Sequence, residues 1–195
     1  MADSKALIEA FREELFRWNR QINLVSRQDT EDRLDGLFGQ CRGGFLSICE
    51  SYFGDAASGG VLPELMYFDL GSGGGLPGVI WHVLFSHQIG ASSGFSSVKT
   101  WLVEPREKRA WFLRRLNRIA EMPPFEVLHG RWGAVKVDEG GFSAEGGAAP
   151  VVLVSLKALH LNDLEVFSGL NAAFSTLPAA FRVIIARYYP PDQVF

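Results

Sequence analysis

Cysteine is scarce in this 195-residue chain: Cys41 and Cys49 are its two, too few for a disulfide framework and with no histidine at metal-ligand spacing around them. Both read as buried thiols without a metal or redox role. The four histidines, His82, His87, His129 and His160, are scattered, and no H-x-x-x-H pair or C-x-x-C offers zinc a site. Long apolar runs are missing as well. The longest, such as Val151 to Val154 and Val183 to Ala186, fall far short of the roughly 18 residues needed to cross a bilayer. Met1 to Asn19 alternates charged and apolar residues and has no compact apolar stretch ending in a small-residue cleavage site. The expectation is a cytoplasmic protein without a membrane span. Nor is there an excess of one charge: the net charge is −3, with 47% hydrophobic and 21% charged residues, which excludes disordered and fibrous classes. No internal repeat interrupts the chain, and its length suits one structural domain with a continuous core.

What is present divides at about residue 60. Leu7, Phe11, Leu15, Trp18 and Ile22 recur at helical spacing and predict a helix from about Ser4 to Arg20, capped by Asp3 or Ser4. A second helical stretch, from about Thr30 to Tyr52, carries Leu34, Leu37, Phe38, Cys41, Phe45, Leu46 and Ile48, with Gly43 and Gly44 as a point where it can kink or split. Residues 1–60 thus form a helical extension, closed by the Gly/Ala/Ser segment Gly54 to Gly60. Residues 61–195 change to the α/β rhythm, short apolar runs separated by glycine-rich turns and helical stretches. Strands are expected near Leu65 to Leu70, Lys99 to Val103, Phe125 to His129, Val151 to Ser155 and Phe181 to Ala186. Helices are expected near Pro77 to Ser86, Arg106 to Ala120 and Asn162 to Phe174. The segments His87 to Ser97 and Glu139 to Pro150, rich in glycine, alanine and serine, read as mobile surface loops.

The most informative segment is Phe68-Asp69-Leu70-Gly71-Ser72-Gly73-Gly74-Gly75-Leu76-Pro77-Gly78, between an apolar strand and a helix. Glycines there allow positive φ in a tight turn and leave the backbone bare for a ligand pressed against it. Gly73-x-Gly75-x-x-Gly78 formally spells a dinucleotide fingerprint. Asp69-x-Gly71-x-Gly73-x-Gly75 fits better the first motif of Rossmann-like methyltransferases, with an acid at the strand end to hold the ligand or the loop. Pro77 presets a helical turn where a diphosphate would profit from free amides. Glu104, at the end of the next strand, stands where an acid accepts hydrogen bonds from a ribose; it can also cap the helix that follows. After the third strand, His129-Gly130-Arg131-Trp132-Gly133 is placed to meet an adenine, the backbone of Trp132 and Gly133 reading the base edge; Trp132 can equally belong to the core.

These residues resemble the glucose-inhibited division protein B family, the bacterial small-subunit rRNA guanine-N7 methyltransferases. The resemblance is carried by Trp18-Asn19-x-x-Ile22-Asn23-Leu24-Val25-Ser26, by Asp69 to Gly78 with its Leu76-Pro77-Gly78, and by Glu104 with Lys108-Arg109 and Phe112-Leu113. It implies a Rossmann-like S-adenosylmethionine-dependent methyltransferase fold, a mostly parallel sheet with helices on both faces behind the N-terminal extension. It implies a cofactor site of Asp69, Gly71, Ser72, Gly73, Gly75, Leu76, Glu104, Arg131, Trp132 and Gly133, no metal, and 16S rRNA or the small ribosomal subunit as partner. It also implies a basic residue after the fourth strand, near the methyl donor or RNA. Lys157 takes that place, a point charge where the family commonly has the planar fork of arginine, unless ungapped matching puts Leu156 there.

The chain departs from the family at Asp32-Arg33-Leu34-Asp35-Gly36, where only Asp35 keeps the pattern. It also stops at Phe195, before the antiparallel hairpin expected to complete the sheet, which would leave an exposed edge. Transfer of a methyl group to guanine N7 removes no proton, so positioning, worth up to about 7–11 kcal/mol, is the expected source of catalysis; no triad or carboxylate dyad is visible. Arg106, Lys108, Arg109, Arg114, Arg115 and Arg118, with Arg12, Arg17, Arg20, Arg27 and Arg33, form clusters that either bind RNA phosphates or are solvated helix faces. Trp132 and Tyr188 are aromatics available for stacking on a base. Two other readings stay open: an NAD(P)-dependent oxidoreductase, and a non-catalytic S-adenosylmethionine-binding or ribosome-associated protein.

Overall fold

The run Leu65–Leu70 forms β1, buried along its whole length as a strand covered on both faces must be. In the computed structural model, which describes residues 3–25, 31–53, 63–88, 95–137, 149–157, 159–174 and 181–188, β1 is the middle strand of a five-stranded sheet. Its partners are β2 (Val98–Glu104), β3 (Glu126–His129), β4 (Val151–Lys157) and β5 (Arg182–Tyr188), in the order β3-β2-β1-β4-β5, with every neighbouring pair parallel. The five expected strands are all present, each within two residues of its expected limits.

Because side chains alternate along a strand, the sheet divides into two apolar layers. Leu65, Tyr67, Leu102, Val151, Leu153 and Ile184 face α1 (Ser4–Asn19), α2 (Glu31–Ile48), α3 (Gly78–Ser86) and α4 (Glu107–Leu116). Met66, Phe68, Leu70, Trp101, Val103, Val152, Val154 and Leu156 face Val166, Leu170 and Ala173 of α5 (Asp163–Ala173). Helices therefore cover both faces, as a Rossmann-like α/β fold requires, with four on one side and one on the other among the described residues.

The N-terminal extension is part of the larger layer. Leu7, Phe11 and Leu15 of α1 and Leu34, Phe38, Cys41 and Phe45 of α2 are buried in the same cluster as the sheet, each large side chain contributing about 1.5–3 kcal/mol. Asp3 is the N-cap of α1, its carboxylate accepting from the Lys5 amide. Asp35 ties the two helices together by accepting from Arg12 Nε at 2.9 Å. Helix α2 runs through Gly43 and Gly44, and the break comes later, as a π-helical turn at Cys49–Phe53. The Trp81 indole N–H donates to the Cys41 carbonyl at 2.7 Å and locks α2 to α3.

Several expectations need correction. Leu46 is 58% exposed and lies off the buried stripe. Phe95, inside a segment read as a surface loop, is fully buried and packs edge-on against Phe53 and Phe85. Cys41 is buried but Cys49 only half so; burial pushes the thiols up to about 12 and about 11, which keeps both protonated and unreactive at neutral pH. Residues 54–60, 89–94, 138–148 and 189–195, with Ser26, Arg27 and the Tyr188 side chain, lie outside the described residues. Among the described residues no helix is long and apolar enough to cross a membrane, and no group of three or more His, Cys, Asp or Glu is placed to hold a metal ion.

Candidate cofactor-binding site

Parallel strands bring their C-terminal ends to one edge, and the order of this sheet reverses between β1 and β4, which opens a crevice there. The turn 71–77 lies at that edge. Its start is bolted to β2, the amides of Gly71 and Ser72 donating to the Val103 carbonyl at 2.9 and 3.1 Å. The bare backbone is not all presented to solvent. Gly71 is exposed and Gly73 half-buried, whereas Ser72, Gly74, Gly75 and Leu76 are buried. Gly75 is bare because the protein fills its place: a Cβ there would come within 2.7 Å of Val79 Cγ2 and 3.3 Å of Phe11 Cζ. At Gly73, with φ +57°, a Cβ would meet nothing closer than Arg109 Nη1 and the Gly71 carbonyl oxygen at 3.7 Å, so no protein atom crowds it.

Glu104 stands behind Gly73. Its Oε2 accepts from the Gly73 amide and its Oε1 from the Arg106 amide, both at 2.8 Å. The carboxylate thus fixes the turn and the start of α4 at once, and each oxygen retains further acceptor capacity.

Asp69 lies deeper, 1% exposed. Register places it opposite Ser155 on β4, whose hydroxyl donates to Asp69 Oδ1 at 2.5 Å. The Tyr67 hydroxyl is 2.9 Å from Ser155 Oγ, and since Ser155 spends its proton on Asp69, Tyr67 is the donor in that pair. Oδ2 faces the backbone of Gly78, where a Cβ would overlap the carboxylate, without a hydrogen bond of regular geometry. Asp69 therefore holds the turn and the beginning of α3 from beneath. Ser72 adds to this, its hydroxyl donating to the Asp69 carbonyl at 2.8 Å.

Burial pushes the Asp69 carboxyl up to about 6, against the pull of Ser155, Ser72 and the Lys157 charge. Burial pushes His82, bonded to Thr100 and the Pro123 carbonyl, down to about 4. The two groups act on stability with opposite signs. A raised acid favours folding at low pH and loses that contribution as pH rises through about 6; a depressed histidine contributes above its ordinary value of 6.5 and loses it as pH falls through about 4. Each is worth up to about 3 kcal/mol at roughly 1.4 kcal/mol per pKa unit. Urea denaturation at pH 4.5 and 6.5 is expected to show Asp69→Asn gaining stability with pH and His82→Gln losing it, relative to the unaltered chain. Parallel profiles for all three would contradict this assignment.

The motif beginning at Trp18 has a direct part in the site. Asn19 Oδ1 accepts from the amides of Leu24 and Val25 at 2.9 and 3.0 Å and folds the chain after α1 into a turn. The Arg109 guanidinium donates to the Asn23 carbonyl through Nε and Nη2 at 3.0 and 2.6 Å. A Cβ on Gly74 would lie 3.1 Å from Leu15 and 3.2 Å from the Leu24 carbonyl oxygen. The turn 20–25 is consequently a wall for the glycine turn. Asn19→Ala strands two amides at about 1–2 kcal/mol, and the expected result is faster hydrogen exchange at Leu24, Val25, Gly73 and Gly75. Asn19→Asp, which still accepts, is expected to restore slow exchange.

The remaining predicted residues divide between edge and core. Arg131 and Gly133 are exposed just past β3. The Trp132 ring is half-buried, 5.7 Å from the Phe68 ring, with Nε1 donating to the Val166 carbonyl at 3.3 Å. It occupies a slot in α5 opened by Gly169, where a Cβ would land inside the indole. Leu156 is 1% exposed in the α5-side layer, so Lys157, half-buried on the other face, is the side chain that brings charge to the end of β4. Of the basic residues near α4, Arg109 is spent on Asn23 and Arg115 pairs with Glu14 at 3.1 Å, while Arg106, Lys108, Arg114 and Arg118 are exposed.

A family model described as rRNA small subunit methyltransferase G matches residues 4–142, well over half of the chain. The chain belongs to the rRNA small subunit methyltransferase G family. The match takes in the turn 20–25, the glycine turn, Glu104 and the Trp132 segment; Ser155 and Lys157 lie beyond it. Among similar proteins, the ribosomal RNA small subunit methyltransferase G of Bordetella petrii is 30% identical over 63% of this chain and 41% of its own length. Those of Desulfotalea psychrophila and Nitratidesulfovibrio vulgaris are 29% and 32% identical over 60% and 64% of this chain, and 44% and 49% of their own lengths. The chain thus spans less than half the length of these curated relatives. A crystal structure of MtNAS in complex with MTA and tNA matches with a TM-score of 0.42 and 18% identity, over 85% of this chain and 49% of that one.

Sequence reasoning missed four contributors to the candidate site: Tyr67 and Ser155, which hold Asp69; Arg109, which reaches the N-terminal turn; and Gly169, which admits Trp132. Ser155 was open to inference, because aligning the two central strands end to end sets a hydroxyl beside the acid. The other three depend on packing between distant segments.

Proposed function

We propose that this chain binds S-adenosylmethionine against the turn 71–77, and that the protein methylates N7 of a guanine in 16S rRNA of the small ribosomal subunit. The observation that carries the reading is the open face at Gly71 and Gly73, at the carboxyl edge of the sheet beside its switch point, in a chain of this family. There a Cβ would meet no protein atom nearer than 3.6 Å, and the Glu104 carboxylate is fixed directly behind.

In this reading Gly71 and Gly73 receive the methionyl part, Glu104 accepts from the ribose hydroxyls with its remaining lone pairs, and Arg131 with the backbone of Trp132 and Gly133 borders the adenine. Asp69, Ser72, Gly75 and Leu76 serve by holding the turn. S-adenosylmethionine, when bound, supplies an electrophilic methyl group on a sulfonium. The protein's part is alignment, since N7 offers a lone pair and has no proton to lose. Lys157, at the end of β4, is placed to steer RNA phosphate towards the cradle as a point charge.

A dinucleotide fits the same turn less well. Its diphosphate would seek the first amides of α3, and there the Asp69 carboxylate already faces Gly78, ionised at neutral pH with its pKa at about 6.

Calorimetric titration with S-adenosylmethionine and with NADH, followed by incubation with undermodified small subunits and mass spectrometry for N7-methylguanine, tests the reading. The sulfonium is expected to bind and NADH not. Binding without turnover would reduce the chain to a non-catalytic S-adenosylmethionine-binding protein; NADH binding alone would replace the methyltransferase reading by an oxidoreductase.

A further inference from the structure

We propose that the outer face of α4, centred on Trp111, is the surface on which a single-stranded segment of the RNA substrate docks, with Trp111 stacking on an unpaired base. The inference rests on the RNA reading above and adds to it the place and mode of contact. Trp111 is 46% exposed, uncommon for a side chain with so much apolar surface to hide. It is nevertheless held still: its ring meets Trp18 edge-on at 4.9 Å, and Trp18 is fixed in turn by its own N–H to Glu14 at 3.0 Å and by the Arg115 guanidinium 5.1 Å from its ring. A rigid, exposed indole is a stacking platform that sacrifices little conformational freedom on contact.

Its surroundings select the partner. Lys108, Arg114 and Arg115 lie three, three and four positions from Trp111, on its side of the helix, and Arg118 follows in the turn just past the helix end. Among the described residues Lys108 and Arg118 make no ion pair, and Arg114 only a long hydrogen bond to the Val127 carbonyl at 3.4 Å. Glu14 is shared between Arg17 and Arg115, so the patch keeps a net positive charge on a chain whose total is −3. Cations flanking an aromatic plane match phosphates flanking a base, and the base must be unpaired to offer its π face. The location agrees. The first turn of α4 touches the cradle, Arg109 Nη1 lying 3.7 Å from where a Gly73 Cβ would be. From Lys108 to the end of α4 at Leu116 the helix then runs about 12 Å, at roughly 1.5 Å per residue, with Arg118 just beyond.

The test uses the full chain, a fluorescein-labelled unstructured oligoribonucleotide containing guanine, undermodified small subunits, and S-adenosylmethionine as the control ligand. Trp111→Ala is expected to weaken oligoribonucleotide binding about tenfold or more, the scale of one lost base stack, with S-adenosylmethionine affinity and melting temperature little changed. Trp111→Phe is expected to recover most of the loss. Lys108→Gln combined with Arg118→Gln is expected to lower the slope of log affinity against log salt by about 1.4, at roughly 0.7 per phosphate contact on a single strand. If the unaltered chain binds RNA and all these variants bind it equally, with the same salt slope, the docking surface is wrong and the substrate reading stands. If the unaltered chain binds S-adenosylmethionine but neither RNA nor small subunits, both fall. Losses confined to small subunits, with the oligoribonucleotide unaffected, would assign the patch to a ribosomal protein and overturn the proposal.

Discussion

Gly73→Val is expected to reduce S-adenosylmethionine affinity by at least about 100-fold while the chain still folds. Two physical effects combine. Gly73 has φ +57°, a left-handed conformation that costs an ordinary L-residue about 1–2 kcal/mol and is a genuine outlier for a β-branched one. Relaxing that strain pulls the Gly73 amide off Glu104, so the carboxylate meant for the ribose loses its register. If the backbone holds instead, the two methyl groups occupy the open space before the turn. Gly73→Ala separates these effects, since its single Cβ would sit at an ordinary contact distance of 3.7 Å from its nearest neighbours and leaves mainly the backbone strain; an intermediate loss is expected. Calorimetry reads the affinity, and a melting curve a few degrees lower confirms the fold. A valine variant that binds as tightly as the unaltered chain would place the ligand elsewhere.

The second large effect is on stability and has a counterintuitive sign. Gly169 is inside α5, where alanine is the better helix former by about 1 kcal/mol, so an isolated helix would gain from Gly169→Ala. In the chain the added methyl overlaps the indole of Trp132. The ring must leave its slot, giving up its contact with Phe68 and its bond to the Val166 carbonyl. Overpacking of this kind costs about 1–3 kcal/mol, so a net loss of up to about 2 kcal/mol is expected in urea denaturation. S-adenosylmethionine affinity is expected to fall too, because the backbone at Trp132 and Gly133 moves with the ring. In a Trp132→Ala background the obstacle is gone and the same substitution is expected to stabilise by about 1 kcal/mol, a reversal that a double-mutant cycle isolates. Stabilisation by Gly169→Ala in the otherwise unaltered chain would show that the ring yields without cost.

The order of strands and helices was legible because each strand is a short apolar run between glycine-rich turns, and the bare turn after β1 was legible because nothing but a ligand or a close approach explains so many glycines together. What those glycines do individually was not. Gly75 and Gly78 are bare for the sake of Val79 and Asp69, neighbours that exist only in the folded chain, whereas Gly71 and Gly73 combine positive φ with no close neighbour. Asp69 is expected to hold the ligand or the loop, and in the fold it lies buried beneath the turn, where the Ser72 hydroxyl bonds its carbonyl. The Trp132 ring packs against the α5-side layer because of a glycine 37 positions later, which leaves the adenine reading of its backbone as it stood. Arg109 was counted with a basic cluster and is instead hooked to a carbonyl 86 residues earlier. Phe95 was lost in a segment of small residues whose composition gave no hint that one aromatic ring anchors it.

The tie between Asn19 and the backbone of Leu24 and Val25 bears on how this protein can be dissected. The grip on the glycine turn is applied by a stretch fifty positions upstream, so a version pared down to the sheet and its own crossover helices would retain the glycines of that turn yet lose the clamp that shapes them. Cutting at the natural-looking seam near residue 60 is therefore expected to strip one face of the core as well as the wall of the turn, and the first helix should be counted as part of the framework that shapes the glycine turn.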